Sequence, residues 1–210
     1  MIVVAGCFRR ETRWIERRPD LRVVRTRMGE AAAVDLDARI GHDLRPSFLL
    51  SVGFSGGLDA GMRTGDVFLA RSIAHRGEML AVSDALVERA RRALDRLDIC
   101  VWTGTCASVG AVAGAAAKRE LGKTGARSVD LESGPLARWA TARGVPFLSC
   151  RAVLDTAAAE VPFSSDRPLW VSALRHPGAT LDLARRSAHA GRELGRAVTG
   201  IVGILEEATA

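Results

Sequence analysis

The chain has 210 residues, of which 48% are hydrophobic and 26% charged, and it carries a net charge of +6. That is enough chain for one domain with a substantial core, in a composition ordinary for a globular protein, and no apolar run is long enough to span a bilayer. Aromatic residues make up 5% and tyrosine is absent, which disfavours the stacking platforms that hold single-stranded nucleic acid.

The opening Met1-Ile2-Val3-Val4-Ala5-Gly6 is apolar but has no cationic leader and no full apolar core. It reads as a first strand and not as a signal peptide, and a cytoplasmic protein is expected. Further strand-like runs follow at Leu21–Thr26, Phe48–Val52, Val67–Ile73, Ile99–Thr103, Ser128–Leu131 and Pro146–Val153. Helical patterns lie between several of them. Ala32–Ile40 is weakly periodic. Asp84–Leu97 places Leu86, Ala90, Leu94 and Leu97 on one face, with Ser83 or Asp84 as its cap. Ser133–Arg143 ends at Gly144, a glycine just past the helix. A long last helix covers Thr180–Glu207, with an interruption expected near Gly191–Gly195. Alternating strands and helices predict a single α/β domain over residues 1–210, a central mixed sheet flanked by helices. The longest irregular stretch, Val161–Gly178, reads as a lid or binding loop.

Two acidic sites stand at strand ends. The run Val145–Leu154 is apolar but for Ser149 and Arg151, and it ends in Asp155. Asp130-Leu131-Glu132-Ser133 falls at a strand-to-helix junction. Open α/β sheets bind ligands at strand ends, so two carboxyl sites at one edge suggest acid chemistry on a small polar molecule. Two glycine-rich or small-residue turns follow apolar strands, Ser51–Leu58 and Gly104–Ala111. Either they admit a ligand close to the backbone, or they pack a helix tightly on the sheet. Gly53-Phe54-Ser55-Gly56-Gly57 also fits the serine-hydrolase elbow, with His176 or His189 as partner. That elbow needs a helix directly after the serine, and Leu58–Asp66 reads as a turn instead. Glu11 follows Arg9 and Arg10. The trio either positions water and an anion or is a solvated helix start.

Cys7, Cys100, Cys106 and Cys150 form no C-x-x-C pair and no ligand pattern with His42, His75, His176 or His189. Reduced thiols and no bound metal are expected. Lys118 and Lys123 are the only lysines among 30 basic residues. The arginine-borne charge reads either as coding bias and solubility or as a peripheral contact with an anionic membrane.

These segments occur in one order. VVAGCFRRE, SVGFSGGLDAGMRTGDV, GTCASVGAV and SVDLESGPLARWATARGVPFLSCRAVLDTA resemble, in sequence order, the nucleoside phosphorylase and nucleosidase superfamily. Within it the chain resembles especially the methylthioadenosine/S-adenosylhomocysteine nucleosidases. In length and sequence the chain is similar to the hopanoid-associated phosphorylases, which remove adenine from adenosylhopane. The resemblance implies cleavage of an adenine nucleoside's N-glycosidic bond. Asp155 would protonate the leaving purine, Glu132 would accept the ribose hydroxyls and Leu131 would pack under the sugar. Ala107, Val112 and Ala113 would contact the base. Glu11 would orient attacking water. Inorganic phosphate is the alternative co-substrate, held by Arg9, Arg10, Ser55 and Gly56. No other cofactor is implied, nor any nucleic-acid partner. The substrate would be a small nucleoside, in the narrower resemblance a lipid-linked one, met at the inner face of the membrane. A homodimer is implied. The short stretch between Ile73 and Ser83 would leave the sugar's 5′ side open. Two readings of other classes stand beside this one: a serine esterase, and a basic lipid- or nucleic-acid-binding module without catalysis.

Overall fold

A computed structural model describes residues 1–41, 44–157 and 177–207, without the side chains of 177–180, 206 and 207. Among the described residues, eight strands form one mixed sheet: β1 (Ile2–Gly6), β2 (Leu21–Arg25), β3 (Phe48–Gly57), β4 (Val67–His75), β5 (Glu78–Ala81), β6 (Val101–Ser108), β7 (Ala126–Asp130) and β8 (Phe147–Asp155). The helices are α1 (Arg9–Thr12), α2 (Ala31–Ile40), α3 (Asp84–Asp95), α4 (Ala115–Lys123), α5 (Ser133–Arg143) and α6 (Pro177–Glu207). The expected α/β class with a helix-flanked mixed sheet is what the chain forms.

The strand order is β2-β1-β3-β7-β6-β4-β5, with β8 paired to both β3 and β4. The sheet therefore closes on itself. β3, β8, β4, β6 and β7 make a ring in which each strand pairs with two others. β3 makes the closure possible. Its first residues pair in parallel with β1, nearly its whole length pairs with β8, and its last two residues turn to β7. A register shift between Ser55 and Gly56 bends it. Bulges of this kind recur at the rims of barrels and beside active sites.

The apolar runs fold as strands because both sheet faces are covered. Val3, Val4, Leu49, Leu50, Phe68, Leu69, Leu148 and Cys150 are fully buried. α6 covers one face, burying Ala190, Leu194, Ala197, Val198 and Ile201 in the same core as β4 and β8. α2 and α5 bury Leu36, Leu136, Trp139 and Ala140 against β1.

Two local expectations are corrected and two elements are added. β3 runs five residues past Val52, so the glycine-rich segment is strand and not turn. α4 and the short β5 were not anticipated. The last helix runs unbroken through Gly191 and Gly195. A Cβ at those glycines would lie 2.7 Å from the Arg10 carbonyl oxygen and 2.6 Å from Trp14 Cβ, so they seat α1 and the turn after it on α6. Residues 161–176 of the expected lid lie outside the described residues, and Pro177 and Gly178 open α6.

Candidate active site

Glu11 sits at the third position of α1, where a carboxylate can reach back to the free N–H groups at the helix start. Its Oε2 accepts from Cys7 N at 2.9 Å and Phe8 N at 2.7 Å, and its Oε1 accepts from Phe54 N at 2.9 Å. The residue is 3% exposed, so it is not a solvated helix start. A carboxylate offers about four acceptor sites. Three backbone donors leave Oε1 with one site for an incoming hydroxyl or water. Burial raises the Glu11 pKa, and the three N–H groups and Arg151 oppose that rise.

Arg9 and Arg10, the preceding residues, are exposed. The two residues expected at a phosphate site on β3 differ. Ser55 is buried with no hydrogen-bond partner for its hydroxyl among the described residues, and Gly56 lies against Lys118.

The second carboxyl site is the β7–α5 junction. Asp130 ends β7 and accepts from Ser133 N, at the start of α5, at 3.2 Å and from the Ser133 hydroxyl. Leu131 is half-buried and Glu132 buried. Gly29 N donates to Glu132 Oε1 at 3.3 Å, which brings the loop after β2 onto this carboxylate. The next residue, Glu30, lies 3.3 Å from buried His75. Burial pushes Glu132 up to about 7, with Asp130 and Glu11 adding to the rise and Arg151 opposing it.

Arg151 joins the two carboxyl sites, and sequence reasoning assigned it no role. It is 1% exposed in the middle of β8. Its Nε lies 2.7 Å from Asp130 Oδ2, and its NH2 group donates to Ser51 Oγ at 2.8 Å and Ser133 Oγ at 3.0 Å. Gly53 makes room for it. A Cβ there would lie 2.2 Å from Arg151 NH1 and 3.1 Å from Glu11 Oε1. The sequence signal was present, since a charge inside an apolar strand must find partners.

Asp155 closes β8 beside Gly56 in register and is 8% exposed. Lys118, from α4, is 2% exposed and donates to Asp155 Oδ2 and, at 3.1 Å, to the Thr156 carbonyl. Burial raises the Asp155 pKa and the lysine opposes it. Sequence reasoning missed Lys118 because α4 itself was not foreseen. Of the residues expected at the base, Ala107 is buried and Ala113 half-buried in one small cluster with Val129, while Val112 is 48% exposed.

β3 carries both ends of this arrangement. Gly53 faces Glu11 and Arg151, and Gly56 faces Lys118. Three residues of strand separate them by about 10 Å at 3.3 Å each. A flat ligand laid along β3 would meet carboxylates at one end and the Asp155–Lys118 pair at the other. Among the described residues the serine-esterase arrangement is not built. Ser55 lies within a strand with no base on its hydroxyl, His189 packs against Gly65, and His176 lies outside the described residues. Among the described residues no His, Cys, Asp or Glu cluster could hold a metal, and no helix is long and apolar enough to cross a membrane.

Solved structures share this fold. The 5′-methylthioadenosine/S-adenosylhomocysteine nucleosidase of Neisseria meningitidis, in complex with methylthio-immucillin-A, aligns with a TM-score of 0.76 at 19% identity, over 96% of this chain and 97% of that one. The S-adenosylhomocysteine nucleosidase of Streptococcus pyogenes, in complex with 5-methylthiotubericidin, aligns with a TM-score of 0.74 at 15% identity, over 96% and 95%. The futalosine hydrolase of Helicobacter pylori aligns with a TM-score of 0.72 at 14% identity, over 96% and 97%. No curated protein sequence matches the chain. The family profile described as "Phosphorylase superfamily" matches residues 17–175, three-quarters of the chain, and with the closed mixed sheet this places the protein in the phosphorylase superfamily.

Proposed function

We propose that the protein hydrolyses the N-glycosidic bond of an adenine nucleoside. The observation that carries this reading is that two buried acidic centres stand against glycines of one strand, β3: Glu11 and Glu132 around Arg151 at Gly53, and Asp155 with Lys118 at Gly56. Breaking the bond builds positive charge on the sugar and negative charge on the base, and fixed groups of opposite sign stabilise each. Glu132 accepts the ribose hydroxyls. Glu11 uses its remaining acceptor site on a water. Asp155 delivers a proton to a purine ring nitrogen. The nucleosidases of like fold in complex with methylthio-immucillin-A and 5-methylthiotubericidin support the same chemistry.

Water is favoured over phosphate as nucleophile on charge. Glu11, Asp130 and Glu132 surround one guanidinium, which already spends itself on Asp130, Ser51 and Ser133. A phosphate there would be a further anion in a buried, acidic place. Arg9 and Arg10 remain outside. An apolar 5′ substituent is the finer reading, in line with an adenosylhopane-like substrate. Exposed Phe8 precedes α1 and donates its N–H to Glu11, and exposed Met28 precedes the Gly29 that donates to Glu132.

Incubation with adenosine, 5′-methylthioadenosine and adenosines bearing longer alkyl groups, with and without inorganic phosphate, tests both points. The expected result is free adenine and free ribose product at equal rates in both buffers, with turnover maintained or rising as the 5′ group lengthens. Formation of ribose 1-phosphate would refute hydrolysis.

A further inference from the structure

Asp155 has a difficulty as a lone acid. An ordinary aspartic acid titrates near 4 and holds almost no proton at neutral pH. The structure places a second group in direct contact with it. Lys118 Nζ donates to Asp155 Oδ2 and to Thr156 O, and its whole side chain is buried. The fold makes space for this. Gly56, opposite Asp155 in register, would with a Cβ stand 2.8 Å from Lys118 Cε and 3.1 Å from Nζ. Beside the pair β7 presents apolar Val129. Among the described residues, the other charge whose field reaches Asp155 is Arg186 on α6, half-exposed and paired with Asp182 of its own helix at 2.6 Å.

We propose that Lys118 and Asp155 are one two-residue acid, in which the lysine stores the proton that Asp155 hands to the leaving base. This rests on the nucleoside-cleaving reading above. A buried lysine–aspartate contact holds one transferable proton whether it is written as ammonium and carboxylate or as amine and carboxylic acid. The proton passes from Nζ to the carboxylate. As the C1′–N bond breaks, its electron pair moves onto the base, and the carboxyl proton bonds a ring nitrogen. Lys118 is left as the neutral amine and Asp155 as the carboxylate. Water gives its hydroxyl to C1′ and its remaining proton to Glu11. Solvent exchange then empties Glu11 and recharges Lys118. Arginine could not serve here, because a guanidinium does not surrender its proton. The chain places one of its two lysines, against 28 arginines, at this point.

The test is the pH profile of adenine release by the wild-type protein, Lys118→Met and Lys118→Arg. Wild type should keep its kcat/KM through neutral pH, well above the range near 4 in which a lone carboxyl loses its proton. Lys118→Met leaves a lone carboxyl. Its alkaline limb should move down by more than about one pH unit, with activity falling about tenfold per unit beyond it. Lys118→Arg should follow Met and not wild type. An alkaline limb that stays in place or moves up in Lys118→Met would make the lysine a mere counter-ion, and an Arg variant with the wild-type profile would do the same. If both variants fail to fold, the wild-type profile decides, since an alkaline limb that begins near 4, where a lone carboxyl ionises, excludes a proton shared with the lysine. Failure of the parent reading looks different: the wild-type protein then releases no adenine at any pH.

Discussion

At the scale of single residues, the site depends on charges held away from water. Glu132 is the residue for which this has the plainest consequence. Its carboxyl is pushed up to about 7 by burial, with neighbouring carboxylates adding to the effect. A raised carboxyl pKa means that the ionised form is disfavoured in the empty site, so ionisation costs folding stability as pH rises from the unfolded value to about 7. Ribose hydroxyls donate to the ionised form and reverse that preference. Affinity for an adenosine-like inhibitor should therefore fall as pH drops below 7, and binding near pH 6.5 should release a proton. Calorimetry in buffers of different ionisation enthalpy measures this directly. Glu132→Gln should bind more weakly and lose the pH dependence; a wild-type affinity flat from pH 5.5 to 8 would remove Glu132 from the ribose. Arg151 offsets the accumulated negative charge, and being fixed by Asp130, Ser51 and Ser133 it cannot swing out to solvent.

At the scale of elements, β3 organises the site, and its glycines are where side chains from elsewhere enter. Gly53 admits Arg151, and Gly56 admits Lys118. Gly56→Ala should push the lysine off Asp155, since the methyl group would also stand 3.0 Å from Val129 Cγ1 and has nowhere else to go. Overpacking of this kind costs about 1–3 kcal/mol. The expected outcome is a folded variant of lower melting temperature whose pH profile follows Lys118→Met, as read by thermal melts and adenine-release kinetics. An unchanged profile would mean that the contact tolerates displacement. Seven of the eight described strands were legible, β5 being the exception, because apolar runs between turn residues have one good solution, and Gly144 closed α5 as its left-handed conformation requires. α4 was not legible. Ala-Ala-Ala-Lys-Arg-Glu-Leu-Gly-Lys shows no apolar stripe, begins at Gly114 without a side-chain cap, and buries only its lysine. Glycines in α6 suggested a break but serve close packing against α1 and Trp14.

At the scale of the molecule, the acidic residues at strand ends were readable from sequence, but their partners were not. Asp155 stands out as a carboxylate closing an apolar strand, and Glu132 as one just past the end of β7, at the start of α5. Their cations, Lys118 and Arg151, come from a helix and from a strand interior and meet them only through the closure of β3, β8, β4, β6 and β7 into a ring. No periodicity in the chain encodes that closure. The account's central claim is that this closed sheet holds a proton donor at Asp155 for a departing purine. Adenine release from 5′-methylthioadenosine by wild type and Asp155→Asn, with melting temperatures measured alongside, tests it most directly. The account predicts a folded variant whose turnover is lower by about 10²–10⁴-fold. A folded Asp155→Asn protein that releases adenine at the wild-type rate would contradict it.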